Sequence, residues 1–348
     1  FKNINNATYL LLPMDFTNFD KNLFVPFKEI KAMKNQLAYL LNNSIDMIAF
    51  TEVPKLAKIP KLNSVTKLSL LISEEQDAHL CDVTDADIYF KLPESYKTGC
   101  TKYIEILKRN PRFIPWFPAV QIGKDYNEAV KILDALRPSK IVTNNTGVAY
   151  KAYEMGIEWI AGPYMNTTNS HALVVLKEEF NCAGAFISNE INRTQIRNIT
   201  RPKEFKLMYS IYHPILMMTS RQCFFQRTVG CNKPAIDDNC MQTCQKATTI
   251  TNVKGISFAV DKQKGGYPSI YNNEQFLNLE AIKDLSDLFD EFFIDLTDIG
   301  SGSKEKLDKV ILIQEFEKLL AKDKSDEAIM TLKNMVINST NAQYEQGL

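Results

Sequence analysis

Eight short apolar runs, separated by amphipathic stretches, constrain the fold of this chain more than any other feature. Each run is rich in Val, Ile, Leu and Phe, as in strands that are buried on both faces of a parallel sheet. The runs are 67–73, 87–92, 112–119, 140–145, 158–166, 184–190, 206–213 and 292–299. Helical patterns such as 125–136 lie between them. Eight strands that alternate with helices favour an α/β fold, a (β/α)8 TIM-like barrel, over an open sheet.

Three regions complete the predicted organisation. Residues 1–65 are expected to be an N-terminal appended segment, with a strand-like YLLLP at 9–13 and a helix over 26–43. The barrel is expected over 66–302. An insertion at 221–275 carries a cysteine cluster and then a hairpin that turns at two glycines, Gly265 and Gly266. Residues 303–348 predict two C-terminal helices, over 304–320 and 326–337.

The charge balance and hydropathy restrict the classes of partner. Lys and Arg number 41, as do Asp and Glu, so the formal net charge is zero. Nucleic-acid binding therefore lacks its usual signature, a basic excess. No apolar run of about 18 residues occurs, so no membrane span is expected. The chain opens on Phe1 without a signal-peptide pattern. We expect a cytoplasmic piece of a longer polypeptide, with an N-terminal module as its neighbour.

Four of the seven cysteines lie close together in the insertion: Cys223, Cys231, Cys240 and Cys244. Thiolates are soft ligands that select zinc, copper(I) or iron–sulfur clusters. Structural zinc usually takes ligand pairs separated by two to four residues, and only the last gap has that spacing. The wider gaps favour an iron–sulfur cluster, with Arg221 and Arg227 offsetting its charge. A zinc site and ordinary free or disulfide-bonded cysteines are the alternatives.

Small polar residues follow several of the predicted strands, where barrel enzymes carry their chemistry. The catalytic candidates are Asn166, Ser188, Glu190 and His213. The substrate-binding candidates are Asn144, Asn145, Asn169 and Tyr212. The alternative is that such residues cap the helices that follow. Asp295 and Asp298, which close the eighth run, are further candidate acids.

Hydrolytic motifs are missing from the sequence. It contains no nucleophile elbow, HExxH zinc motif, Walker loop or GxGxxG loop. A serine or cysteine hydrolase would need a histidine as its base, and of the three histidines only His213 follows a strand. The residues alone therefore give no positive support for a peptidase.

Several segments together resemble the collagenase-like peptidase family U32. They are IAGPYMNTTNSHAL, AFISNEIN, YHPILMMTSRQC, CMQTC and GGYPSIYNNEQFLNLEAIKDL, within residues 66–300. NLFVPFKEIKAMKNQLAYLL is similar to the segment that joins two such modules in longer members. The resemblance implies a barrel with a 4Fe-4S cluster on Cys223, Cys231, Cys240 and Cys244. It also implies that Asn166, Ser188 and Glu190 occupy polar positions at the family's strand ends.

The activity that this resemblance implies is oxygen-independent hydroxylation, of a pyrimidine in RNA or of a small aromatic quinone precursor. Two departures bear on the substrate: a short gap between Cys231 and Cys240, and FIDLTDIG in place of the basic KIEGR-like motif of RNA-acting members. Together with the zero net charge, these departures favour a small-molecule substrate over RNA. A peptidase, as the family name suggests, and a non-catalytic metal-stabilised interaction module are the alternatives.

Overall fold

The computed structural model describes ten stretches of the chain: residues 15, 17–20, 22–41, 55–61, 65–96, 99–244, 246–263, 265–299, 307–321 and 325–347. The chain divides into two compact units, Phe1–Lys55 and Leu56–Leu348. The first unit contains helix α1, Phe27–Leu41, where the sequence predicts a helix. The strand predicted at 9–13 lies outside the described residues.

The second unit is built on one sheet. Its strands are β1 (Lys67–Ile72), β2 (Asp87–Lys91), β3 (Phe113–Phe117), β4 (Lys140–Thr143), β5 (Glu158–Ala161), β6 (Gly184–Ile187), β7 (Lys206–Thr219), β8 (Thr248–Thr251), β9 (Ser257–Asp261), β10 (Ser269–Leu277), β11 (Glu291–Asp295) and β12 (Ser339–Thr340). Strands β1 to β7 pair in parallel in chain order. Strand β11 pairs in parallel with both β7 and β1, which closes an eight-stranded barrel. The TIM-like barrel predicted from the eight apolar runs is confirmed.

Helices surround this barrel and follow its strands. They are α2 (Thr101–Arg109), α3 (Lys124–Leu136), α4 (Thr146–Glu154), α5 (Ser170–Phe180), α6 (Arg193–Arg197), α7 (Phe225–Thr228), α8 (Asp238–Thr243), α9 (Glu280–Asp284), α10 (Lys309–Leu320), α11 (Ser325–Met335), α12 (Ala342–Gln346) and a 3-10 helix (Glu75–Asp82). The apolar faces of these helices and the outward side chains of the strands form one large core. The two predicted C-terminal helices are α10 and α11.

The barrel interior is filled by one apolar or aromatic side chain from each strand. These eight buried residues are Leu71, Tyr89, Trp116, Val142, Ile160, Phe186, Met208 and Phe293. Side chains of a strand alternate between its two faces, so the residue two positions further along faces inward at the carboxyl end. By this alternation the next inward positions are Ser73, Lys91, Pro118, Asn144, Gly162, Ser188, Ser210 and Asp295, and we call them the mouth layer.

Strand β7 is longer than the sequence predicts. The prediction ends it at 213, whereas the strand continues to Thr219 and pairs antiparallel with β10. Strand β10 in turn pairs with β9, and β9 with β8, so the hairpin predicted after the cysteines is present. Tyr212 and His213 therefore lie within a strand, opposite Leu277 and Phe276, and their prediction as strand-end residues is corrected.

Candidate functional site

The mouth layer carries an acidic group and a basic group on neighbouring parts of the barrel. Asp295, at the end of β11, accepts hydrogen bonds from the backbone N–H of Thr297 at 2.9 Å and from its hydroxyl at 2.6 Å. Burial raises the pKa of Asp295, while the positive charges of Lys91 and Lys309 act against that rise. A carboxyl group with a raised pKa at the mouth of a barrel is a candidate for proton transfer.

Two tyrosines and a second carboxyl group lie around the same opening. Tyr164 is 58% exposed. Desolvation raises the pKa of its hydroxyl, and the negative charges of Asp295, Glu94 and Glu190 make smaller contributions in the same direction. Tyr271 is buried, which raises its pKa well above the usual value, and Tyr164 adds to that effect. Glu94 accepts from the Tyr267 N–H at 2.6 Å, and burial raises its pKa.

A recess that is open to solvent adjoins Lys91, Glu94 and Tyr271. Lys91, Glu94, Gln263, Tyr267 and Tyr271 are among the residues that line it. Aromatic walls with a few charged and amide groups are typical of sites for small polar molecules.

The predicted substrate-binding asparagines hold the loops around this mouth. Asn144 is buried; its side-chain amide donates to the Phe117 carbonyl at 3.2 Å and accepts from the Tyr164 N–H at 3.0 Å. Asn144 therefore fixes the backbone that carries the Tyr164 ring. Asn145 and Asn169 cap α4 and α5, by accepting from Val148 and Ala172. These two contacts are the ones that the helix-capping alternative requires.

Three of the predicted catalytic residues lie on the loops after β5 and β6. Ser188 is buried, and its hydroxyl accepts from the Glu190 N–H at 3.2 Å. Glu190 is exposed, and its charge contributes to the raised pKa of Tyr164. Asn166 is exposed and has a left-handed backbone, with φ at 56°. Glu190 thus borders the mouth, while Ser188 orients its backbone.

Tyr212 and His213 point to different sets of partners. The Tyr212 hydroxyl donates to the side-chain oxygen of Gln275. His213 Nδ1 lies 2.7 Å from the Ser210 hydroxyl, and its ring stacks on Phe276 with 4.7 Å between centroids. Burial lowers the pKa of His213 to about 3, so the imidazole is neutral at physiological pH. Ser210 belongs to the mouth layer and was not singled out from the sequence.

The four predicted metal ligands surround two short helices and are all partly exposed free thiols. Cys223 precedes α7 and Cys231 follows it, whereas Cys240 lies in α8 and Cys244 ends it. Asp237 caps α8 by accepting from the Cys240 N–H at 2.7 Å. Within the described ranges, no three His, Cys, Asp or Glu side chains lie close enough together to hold a metal ion. The ligand set stays a prediction.

One lysine that the sequence analysis missed lies among these thiols. Lys262 is 3% exposed, and its ammonium donates to the carbonyls of Met241 at 3.2 Å and Cys244 at 3.4 Å. Burial lowers the pKa of Lys262, and the thiols of Cys244, Cys240 and Cys223 are near enough to act in the opposite direction. A buried positive charge therefore lies at the end of the helix that carries Cys240 and Cys244.

Backbone and side-chain bonds tie this lysine's neighbours to the barrel mouth. Gln263 accepts from the Lys91 ammonium at 3.1 Å and donates to the Asp298 carbonyl at 3.2 Å. Gly265 accepts, through its carbonyl, from the Ser95 N–H at 2.9 Å. Lys262, Gln263 and Gly265 thus connect the cysteine region with the barrel, and Gln263 does so through Lys91 of the mouth layer.

Comparison with known proteins gives a family match. The family model described as Peptidase family U32 matches residues 119–328, which include the four cysteines and five strands of the barrel. The solved structure of the U32 peptidase Mk0906 is similar over 75% of this chain and 100% of its own, at 12% identity and a TM-score of 0.37. No curated protein matches the chain. None of the helices within the described residues is long and apolar enough to cross a bilayer.

Proposed function

The chain belongs to peptidase family U32, and from this premise we propose that it is an iron–sulfur-dependent enzyme with its substrate site in the barrel mouth. The proposed reaction is an oxygen-independent hydroxylation, of a pyrimidine in RNA or of a small aromatic quinone precursor, in which an organic co-substrate donates the hydroxyl oxygen and is itself reduced by two electrons. One observation carries the proposal: the four cysteines of the insertion lie in and beside the neighbouring short helices α7 and α8, and the buried ammonium of Lys262 donates to the carbonyls of Met241 and Cys244 at the end of α8. The next residue, Gln263, bonds to Lys91 of the mouth layer.

The chemistry of the cysteine region fits a metal centre. Four thiolates are the usual ligands of a 4Fe-4S cluster, and a cluster so bound carries negative charge. Burial of an ammonium is costly, and a bound anionic cluster beside Lys262 would reduce that cost. The residues that would hold it are Cys223, Cys231, Cys240 and Cys244. When bound, such a cluster supplies electron transfer or a Lewis-acidic iron.

The mouth layer would supply binding and proton transfer. Lys91 offers a positive charge to an anionic substrate group, and Asp295 offers a carboxyl group whose pKa is raised by burial. The exposed ring of Tyr164 offers a face for stacking, held in place by Asn144. Positive and aromatic groups beside this recess favour a small aromatic anion over RNA.

Comparative mass spectrometry tests this proposal. Hydroxylated nucleosides and quinone intermediates would be measured in anaerobic cells with and without the gene. We expect one hydroxylated product to disappear on deletion and to return with the wild-type gene. Cys240→Ala and Asp295→Asn should fail to restore it. Cys81→Ala is the matched control, because Cys81 is also a partly exposed free thiol but lies outside the cluster. Unchanged hydroxylated products on deletion would contradict the proposal.

A peptidase is the second candidate, and one contact favours it. The Ser210 hydroxyl lies 2.7 Å from His213 Nδ1, which is the distance between a nucleophile and its base. Against this, Ser210 is only 3% exposed. Cleavage of an unstructured peptide library, abolished by Ser210→Ala but not by Cys240→Ala, would establish the peptidase. The hydroxylase predicts no cleavage by the wild type.

A non-catalytic module is a third alternative. It predicts that a chelator unfolds the protein while deletion of the gene changes no hydroxylated product.

A further inference from the structure

Strand β8 lies at the edge of the sheet and is paired on one side only. It pairs antiparallel with β9, and among the described residues the strand order ends there. Its last three residues, Thr249, Ile250 and Thr251, are exposed. An edge strand presents a row of backbone N–H and C=O groups, to which another extended segment is able to pair.

The hairpin turn determines which backbone groups of β8 point away from β9. The Asn252 N–H donates to the Ile256 carbonyl at 2.9 Å, so these two residues form a hydrogen-bonded pair. Such pairs alternate along an antiparallel ladder, so the next pair, Thr251 and Ser257, exchanges no backbone bonds. The 2.8 Å distance between the hydroxyls of Thr251 and Ser257 agrees with that close pairing. By the same alternation, the N–H and C=O groups of Thr249 and Thr251 point outwards.

Strand β8 itself carries none of the features with which natural sheets protect an edge. Its sequence, Thr-Thr-Ile-Thr, contains no charge and no proline, and all four residues are β-branched. Its four pairs with β9 are consecutive, so no bulge twists the edge away. Ile250 is 37% exposed in the middle of the strand. The edge is therefore suited to accept an added strand.

Two lysines define the charge of the segment that fits this edge. Lys246 lies two residues before β8 and Lys254 lies three residues after it, and both are exposed. The sequence has no Asp or Glu between residues 239 and 260. A second copy of this chain, paired antiparallel about Ile250, would place its own Lys246 opposite Lys254, and like charges that face each other weaken strand pairing. A segment with acidic residues at both ends has the complementary charges.

We infer that the outer edge of β8 is a docking site for an extended acidic segment of another polypeptide, which adds to the sheet as a further strand. The β-branched middle of that segment would lie beside Ile250, and carboxylates at its ends would face Lys246 and Lys254. The inference does not rest on the proposed function, because it requires neither a metal centre nor a reaction.

Binding of a designed peptide to the full chain tests the inference. The probe is a labelled, capped peptide, Glu-Thr-Val-Thr-Val-Thr-Val-Thr-Glu, and fluorescence anisotropy measures its binding at low and high salt. One control peptide has Lys at both ends. The other keeps the sequence, but its backbone is N-methylated along the edge that would pair with β8.

Three protein variants accompany these peptides. Thr249→Pro removes one outward N–H and leaves the bonds between β8 and β9 in place, as proline does on the solvent side of an edge strand. Thr249→Val is its matched control, because valine keeps the N–H and the β-branched shape. The double variant Lys246→Glu/Lys254→Glu reverses the charge on both sides of the strand.

We expect the acidic peptide to bind the wild type and Thr249→Val equally well. Thr249→Pro should bind it about 2- to 10-fold more weakly, which is the net contribution of one hydrogen bond. The charge-reversed variant should bind the Lys-ended peptide in preference to the acidic one. High salt should weaken the binding of the acidic peptide to the wild type, because exposed charges are screened.

Circular dichroism identifies a variant that fails to fold. If Thr249→Pro does so, the N-methylated peptide removes the same kind of bond without a change in the protein, and it should bind the wild type more weakly than the unmodified peptide.

Three outcomes would overturn the inference. The first is that the acidic peptide does not bind the wild type. The second is that N-methylation or charge reversal leaves its binding unchanged. The third is a dimer of the wild type in sedimentation velocity that Thr249→Pro abolishes, since the edge would then belong to a second copy of this chain. None of these outcomes bears on the proposed function, which the metal and product measurements test.

Discussion

The backbone N–H of Gly265 donates to the carbonyl of Met241 at 2.8 Å, which joins the cysteine-bearing helix α8 to the turn of the β9–β10 hairpin. The carbonyl of Gly265 accepts from Ser95, on the loop that follows β2 of the barrel. One residue therefore bonds to the cysteine region on one side and to the barrel mouth on the other. Its geometry permits a direct test of that connection.

Gly265→Ala should be strongly destabilising. Gly265 has φ at +73°, and an added Cβ would lie 2.6 Å from the Pro93 Cβ. Strain from the left-handed backbone costs about 1–2 kcal/mol, and overpacking adds about 1–3 kcal/mol. Gly255→Ala is the control, because Gly255 has φ at +80° but nothing within 4 Å of its would-be Cβ. The free energy of unfolding from urea titration should fall clearly more for Gly265→Ala. Equal losses would show that the contact with Pro93 is unimportant.

Arg201→Met should also cost much of the stability. The Arg201 guanidinium lies 2.7 Å from the Asp290 carboxylate, with side-chain exposures of 4% and 14%. Asp290 also accepts from the Leu207 N–H at 2.9 Å. Removal of one partner from a buried ion pair leaves an uncompensated charge and costs about 3–5 kcal/mol.

The exposed ion pair of Arg109 and Glu75 provides the control for that experiment. Its side chains are 59% and 40% exposed, and such pairs contribute about 1 kcal/mol or less. Glu75→Gln should therefore leave the melting temperature nearly unchanged. A loss as large as that of Arg201→Met would contradict the assignment of stability to burial.

Glu291 should make the stability of the protein depend on pH. Burial raises its pKa above the usual 4.5, and its carboxyl group accepts from the Tyr89 hydroxyl at 3.0 Å. The folded state keeps this proton at pH values where the unfolded chain has released it. The contribution to stability is therefore full below pH 4.5 and is lost as pH rises through the raised pKa.

Glu291→Gln removes this ionisation while it retains an acceptor for Tyr89. Denaturant titrations from pH 4 upwards, a range set by the carboxyl pKa values, should show that the advantage of the variant over the wild type grows with pH. A constant difference across that range would mean that Glu291 does not titrate differently in the two states.

The barrel could be predicted from the sequence because buried parallel strands are continuous apolar runs, and all eight runs are strands of the barrel. The end of β7 could not be predicted from the sequence. Residues 214–219 form a strand only because they pair with β10, which lies about 50–60 residues away in the chain. The local sequence around residues 214–219 gives no indication of this distant pairing partner. The C-terminal helices and the hairpin were predictable from their own periodicity and turn residues.

The site was less accessible to sequence reasoning. Asn144 and Ser188 follow strands and were found, but their bonds to Tyr164 and Glu190 depend on how two loops meet. Lys91 was detectable, because alternation from the inward Tyr89 places it at the mouth. Lys262 was not detectable, because its role depends on contacts with residues of α8 that lie about 20 positions earlier in the chain.

Metal analysis of the anaerobically purified protein tests the central claim most directly. The account predicts a brown protein with about four iron atoms and matching sulfide per chain, both lost in Cys240→Ala and kept in Cys81→Ala. A colourless protein with one zinc ion, or iron that Cys240→Ala leaves unchanged, would contradict it.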